Sequence, residues 1–189
     1  NRGTVGGSLC HLDPSAELVN VMALMGGTLH AASTRGTRDM TLDDFAAGYM
    51  TTALEPDELL AGITLNLPQR DTGQAFVELA RRHGDFAIVA CSALIALDDS
   101  GAITRASLAI SVLSHKPVRP ADIERALEGE KPDASSFKAA AAQAAKLDAM
   151  ADAYVSAAYR QHLARVLTHR ALEQAAQRST PLPRAQLPA

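Results

Sequence analysis

At 189 residues the chain is long enough for one large or two small domains with a true hydrophobic core. Its composition, 47% hydrophobic, 21% charged and 4% aromatic, is that of a globular protein. A net charge of -3 with scattered Lys and Arg excludes a phosphate-reading nucleic-acid binder, which needs clustered basic groups. The two cysteines, Cys10 and Cys91, stand far apart in apolar contexts, so they read as packed thiols, not as a disulfide framework or metal pair. No apolar run approaches the ~18 residues of a membrane-spanning helix, and a reducing, cytoplasmic setting is the expectation.

In chain order, residues 13–24 read as a helix, with Asp13 as N-cap, Pro14 at the first helical position and Gly26-Gly27 as its stop. Residues 28–33 and 37–42 read as a hairpin across the turn 34–36. "LDDFAAGY" is a short helical turn ending at Gly48, and 61–68 is a strand on which Ile63, Leu65 and Leu67 alternate. A polar linker at 69–73 marks a domain boundary. Beyond it, 74–82, 85–97 and 102–113 form a three-stranded antiparallel meander. Helices follow at 120–129, 134–150 and 156–178, the last with Tyr159, Leu163, Val166, Leu167 and Ala171 on one face. Residues 179–189 carry three prolines and read as a flexible tail. Strands packed on helices without βαβ alternation make the class α+β.

The stretch "TVGGS" (4–8) holds the first chemical signal. Paired glycines can take φ > 0 and let a diphosphate approach without Cβ atoms in the way. Thr4 and Ser8 offer hydroxyls, and the helix that follows aims its N–H groups back at the loop. An ordinary glycine turn is the competing reading, and these residues alone favour it.

The sequence as a whole resembles a known family. "RGTVGGSLCHLDPSAEL" (2–18) is similar to the second flavin-contacting segment of the FAD-binding medium subunits of molybdenum hydroxylases, the carbon monoxide dehydrogenase and xanthine dehydrogenase family. "GYMTTALEPDELLAGITLNLP" (48–68) resembles the end of that family's FAD domain, and "ELARRHGDFAIV" (78–89) the entry to its C-terminal domain. "KPVRPADIERALEG" (116–129) and "SAAYRQHLARVLTHRALEQA" (156–175) continue the landmarks in family order. Two places depart from the pattern. Val77 and Glu78 stand where the family often has a Lys, and Ser111–Ser114 replace a Gly-Gly-Val-Ala run.

The resemblance implies a fold and a role. Residues 1–68 would be the C-terminal portion of a flavin-binding α/β subdomain, whose N-terminal half, with a first glycine-rich loop, lies outside this chain. Residues 74–178 would be the family's C-terminal α+β domain, a three-stranded antiparallel sheet packed on a helical bundle. FAD is the implied cofactor, with Thr4, Val5, Gly6, Gly7, Ser8, Glu17 and Leu60 at its site. Glu17 would meet ribose or adenine, and Leu60 would line the cofactor. The implied partners are an iron-sulfur small subunit and a molybdenum-cofactor large subunit that oxidises the substrate. Electrons would pass through FAD to an external acceptor.

Each residue has a plainer alternative: a glycine turn for 4–8, an exposed helix-start carboxylate for Glu17, core packing for Leu60, a salt bridge for Arg81-Arg82 with Asp85. No residue is assigned a catalytic role, His11 included. The six histidines lack metal-ligand spacing, and no phosphate loop or nucleophile elbow occurs. The rival function is a non-catalytic docking module that does not bind FAD on its own. The isolated chain is expected to be colourless or substoichiometric in flavin.

Overall fold

The computed structural model describes residues 3–180. It begins with an element that the paired glycines hide. Helix α1 (Val5–His11) is N-capped by Thr4 and ends where Leu12 turns left-handed at φ 51°. The next helix, α2 (Glu17–Met25), starts later than Asp13 and Pro14 predict. The Asp13 carboxylate instead accepts the Ser15 N–H at 2.8 Å and the Ser15 hydroxyl at 2.6 Å. That closes a tight turn and leaves no helix-capping role for Asp13. Gly26 ends α2 as expected, at φ 68°. Gly27 follows at φ 133°, where a Cβ would stand 2.0 Å from the Thr64 carbonyl oxygen, so only glycine fits.

Strands β1 (Gly27–Ser33) and β2 (Gly36–Met40) form the expected hairpin. Helix α3 (Leu42–Phe45) is closed by a reciprocal Thr41–Asp44 capping box. The chain then forms a small ladder, β3 (Ala46–Gly48) with β4 (Thr51–Thr52), where a helical turn running to Gly48 was expected. Strand β5 (Leu59–Leu65) returns antiparallel to β1, giving the sheet order β2-β1-β5. It stops before Leu67, which is 81% exposed, so of the alternating trio only Ile63 packs inward. Leu9, Leu12, Val19, Met22, Leu29 and Phe45 are the buried core of this region.

Strands β6 (Gly73–Ala80), β7 (Ala87–Leu97) and β8 (Ile103–Ser111) make the predicted meander, in the order β6-β7-β8. The long, mostly apolar run of β7 has a plain cause, burial on both faces. Cys91, Ala93 and Ile95 share one cluster with Leu163, Leu167 and Ala171. Leu94 shares another with Ala23, Leu24 and Ala109. Helices α4 (Ala121–Leu127), α5 (Ala134–Ala144) and α6 (Ala157–Arg178) complete the fold.

Helix α5 ends short of the expected residue 150. The Leu147 carbonyl accepts Gln161 Nε2 at 2.9 Å and the Met150 N–H donates to Leu113 at 2.9 Å, diverting the chain. On α6 the inward residue is Arg160, not Tyr159. Arg160 donates to the Met150 carbonyl at 2.8 Å and to Asp152 at 2.5 Å, while Tyr159 is half exposed. Antiparallel sheets covered by helices confirm the α+β class. From residue 181 the tail lies outside the described residues.

Glycine packing gives a stability test. A Cβ on Gly73 would stand 1.8 Å from the Ala175 carbonyl oxygen and 2.5 Å from the Ser179 nitrogen, where α6 crosses β6. Gly73→Ala is expected to cost about 2–4 kcal/mol. Gly62→Ala, whose Cβ would make an ordinary 3.5 Å contact with the His30 ring, should cost less than about 1 kcal/mol. Urea denaturation of the two variants checks the contrast.

Candidate cofactor site

The first turn of α1 gathers Thr4, Val5, Gly6, Gly7 and Ser8. Thr4 Oγ1 accepts the Gly7 N–H at 2.9 Å. The Val5 and Gly6 N–H groups have no carbonyl within the helix to bond, as at any helix start. Contrary to the sequence reading, neither glycine has positive φ, and both lie in right-handed helix. Their roles differ. A Cβ on Gly7 would stand 2.8 Å from Thr4 Oγ1, so a larger residue there would have to shift the capping hydroxyl. A Cβ on Gly6 would meet only Leu60 Cδ2, at 4.0 Å. The fold therefore does not require glycine at position 6, and a helical glycine costs about 0.5–1 kcal/mol relative to alanine.

Leu60 on β5 is thus beside Gly6 and partly buried against the Leu9–Phe45 core. Val5 projects into solvent at 54% exposure. Glu17 opens α2, is exposed, and faces Glu78 on β6. Burial, then the Glu17 carboxylate, raises the Glu78 carboxyl above its usual range, with His83 acting in the opposite sense. The structure therefore unites Gly6 with Leu60, and sets Glu17 beyond the Asp13–Ser15 turn.

Leu9 and Leu12, unmarked by the sequence reading, anchor α1 in the core. Their three-residue spacing was the available signal. Cys10 on the same helix is half-buried, and burial raises its thiol. Cys91 is fully buried and pushed up to about 12 by desolvation, the state of an inert packed thiol. Arg82 pairs loosely with Asp85 at 3.5 Å on the surface, and the Arg81 guanidinium lies 5.0 Å from the Tyr154 ring centre. Among the described residues no cluster of His, Cys, Asp and Glu could hold a metal, and no helix is long and apolar enough to cross a membrane.

The residues present fit a dinucleotide. A bare glycine face, two N–H groups free within the helix and two nearby hydroxyls suit a pyrophosphate.

Residues 1–69 match the family described as the FAD binding domain in molybdopterin dehydrogenase, and residues 74–175 the CO dehydrogenase flavoprotein C-terminal domain. The 6-hydroxypseudooxynicotine dehydrogenase complex subunit alpha of Paenarthrobacter nicotinovorans is 33% identical over 96% of this chain and 62% of its own length. Caffeine dehydrogenase subunit beta of Pseudomonas sp. strain CBB1 is 35% identical over 94% of this chain and 60% of its own. The chain thus spans less than two thirds of these relatives. Quinoline 2-oxidoreductase from Pseudomonas putida 86 superposes with a TM-score of 0.87 at 34% identity, covering 94% of this chain and 61% of that one. Carbon monoxide dehydrogenase from Oligotropha carboxidovorans gives 0.87 at 29% identity, covering 94% and 62%.

The turn that delivers β5, and with it Leu60, carries a pH-dependent brace. Arg38 donates twice to the Glu58 carboxylate, both at 2.8 Å, and the Glu55 N–H donates to it at 2.8 Å. These bonds, Arg38 first, hold the Glu58 carboxyl at about 2 against an ordinary 4.5. A depressed folded-state value means the stabilisation is full above about pH 4.5 and fades as pH falls toward 2. Arg38→Gln should therefore be less stable than the wild type at pH 6, with the gap closing by pH 2. Chemical denaturation across that range measures it.

Proposed function

Because the chain belongs to the FAD-binding flavoprotein family of the molybdenum hydroxylases, we propose that it is the flavin-holding part of such an enzyme's medium subunit. In this reading, residues 1–68 are part of the FAD domain and residues 74–178 the C-terminal domain. Val5 and Gly6 present N–H groups to the pyrophosphate, and the Thr4 and Ser8 hydroxyls flank it. Gly7 donates its N–H to the Thr4 cap. Leu60 lines the cofactor, and Glu17 takes a hydroxyl or amine at the adenosine end. When bound, FAD supplies the redox chemistry through its isoalloxazine ring, and the chain supplies position and electrostatics.

The intact enzyme would take electrons from an iron-sulfur small subunit and deliver them to an external acceptor. The substrate would be oxidised at a molybdenum centre on a large subunit. The relatives named as dehydrogenases of nicotine-derived and purine compounds support that role. Both free cysteines suit a cytoplasmic setting.

One observation carries the FAD reading. Gly6 is a helical glycine on which a side chain would meet almost nothing of the protein, so the space it leaves serves something else. Gly6→Ala should leave the chain as stable or up to about 1 kcal/mol more stable. The same change should weaken FAD binding at least about tenfold, a loss of roughly 1.4 kcal/mol. Flavin fluorescence during titration of added FAD, with a denaturation curve alongside, measures both. Equal affinity in the two proteins overturns the assignment of Gly6. Absence of binding even in the wild type favours the docking role.

A further inference from the structure

Asn20 lies in the middle of α2 and is fully buried, between Val19 and Val21 in the run "ELVNVMALM". Asparagine is a poor helix former, and a buried amide is costly unless it is bonded. Here it is fully engaged, and every partner is on the opposing sheet. Its Nδ2 donates to the Ala109 carbonyl at 3.2 Å and to Ser111 Oγ at 2.7 Å, and its Oδ1 accepts from the Ser92 hydroxyl. Ser92 and Ser111 are themselves buried. Around it lie the apolar Ala23, Leu24, Leu94 and Ala109.

Apolar seams specify position weakly. The apolar side chains of α2, among them Val21, Leu24 and Met25, could meet Leu94 and Ala109 in more than one register, and methionine adapts readily. A slip of one residue moves a helix about 1.5 Å along its axis and turns it about 100°. That slip would place a valine against Ser92 and Ser111, leaving their polar groups unpaired. Arg119 cannot supply this discrimination. Its Nη1 bonds the Ala23 and Leu24 carbonyls at 2.9 and 3.1 Å, but a long side chain can follow a displaced carbonyl.

Helix α1 is packed with α2. Leu9 of the first and its C-cap Leu12 share a core with Val19 and Met22 of the second, and the hydrogen-bonded Asp13–Ser15 turn joins them. We propose that Asn20 is a positioning residue whose hydrogen bonds to Ser92, Ser111 and Ala109 fix the register of α2 on the β7–β8 face and thereby the place of the Gly6 face and Glu17. The link to the cofactor rests on the FAD reading above. The register does not.

The test uses two variants of the full chain. Asn20→Leu leaves Ser92 and Ser111 unpaired and loses stability under any account. The triple variant Asn20→Leu, Ser92→Ala, Ser111→Ala removes the whole polar set, and its thermal midpoint should return to within a few degrees of wild type. A merely structural Asn20 would then be fully replaced. In the cofactor-free triple variant, α1 and α2 amide resonances should split or broaden while those of β7 and α6 stay single and sharp. Affinity for added FAD should fall about tenfold or more. A single, unshifted set of α1 and α2 resonances overturns the proposal, whether or not FAD binds. Split resonances with wild-type FAD affinity overturn the link to the cofactor seat alone. Failure of the FAD reading shows separately, as absence of FAD binding in the wild type.

Discussion

Burial of β7 on both faces is the constraint on which the rest of the structure depends. One face packs on α6, and the other receives α2. Each Leu-sized side chain taken fully from water stabilises by about 1.5–3 kcal/mol, so the seam around Leu24 and Leu94 outweighs the surface contacts near it. Lys116 and Asp43, paired at 2.5 Å on the surface, contribute about 1 kcal/mol or less. A helix from the N-terminal third of the chain thus completes the core of the C-terminal sheet. The two family-matched segments meet at a built interface, where the polar linker had marked a boundary.

That arrangement explains how so weak a helix as α1 keeps its shape. Seven residues with two glycines are far below the length at which an isolated helix persists in water. Its stability comes from the Thr4 cap and from Leu9 and Leu12, which are pinned by a core that includes α2 and β1. The glycine face is therefore presented by tertiary contact and not by local propensity. Such a segment can keep an energetically poor residue like Gly6, because neighbouring packing offsets what the backbone loses.

The sequence made legible what local physics decides. Alternation and turn residues located the β6-β7-β8 meander, and Gly26 marked the stop of α2. Where two local uses of one residue compete, the reading failed. Asp13 has the chemistry of a cap and equally that of an Asx turn, and only the chain's path to Ser15 decides. Gly6 and Gly7 advertised a left-handed loop, yet they are helical because Leu9 and Leu12 find a core two turns away in space. The end of α5 depends on Gln161 and Leu113, partners distant in sequence. At the candidate site, Thr4 to Ser8 were legible as a group, and the placement of Leu60 beside Gly6 gives that group a wall. Asn20 went unmarked in the sequence reading, because its partners are two serines on strands far along the chain.

Charge placement supports the proposed FAD reading of this surface. The cap of α1 is a neutral hydroxyl, and no acidic residue lies in its first turn. An aspartate in place of Thr4 would satisfy Gly7 equally well, but it would set a negative charge where the proposed reading brings the pyrophosphate. Two unit charges 4 Å apart repel by about 1 kcal/mol even in bulk water, and by several in a partly enclosed site. The acidic residues of this region stand elsewhere. Asp13 is occupied by Ser15, and Glu17 faces Glu78 across the gap between α2 and β6. In the proposed FAD reading, the start of α1 stays open to an anion, and Glu17 at the start of α2 is left to accept from a ribose hydroxyl or an adenine amine.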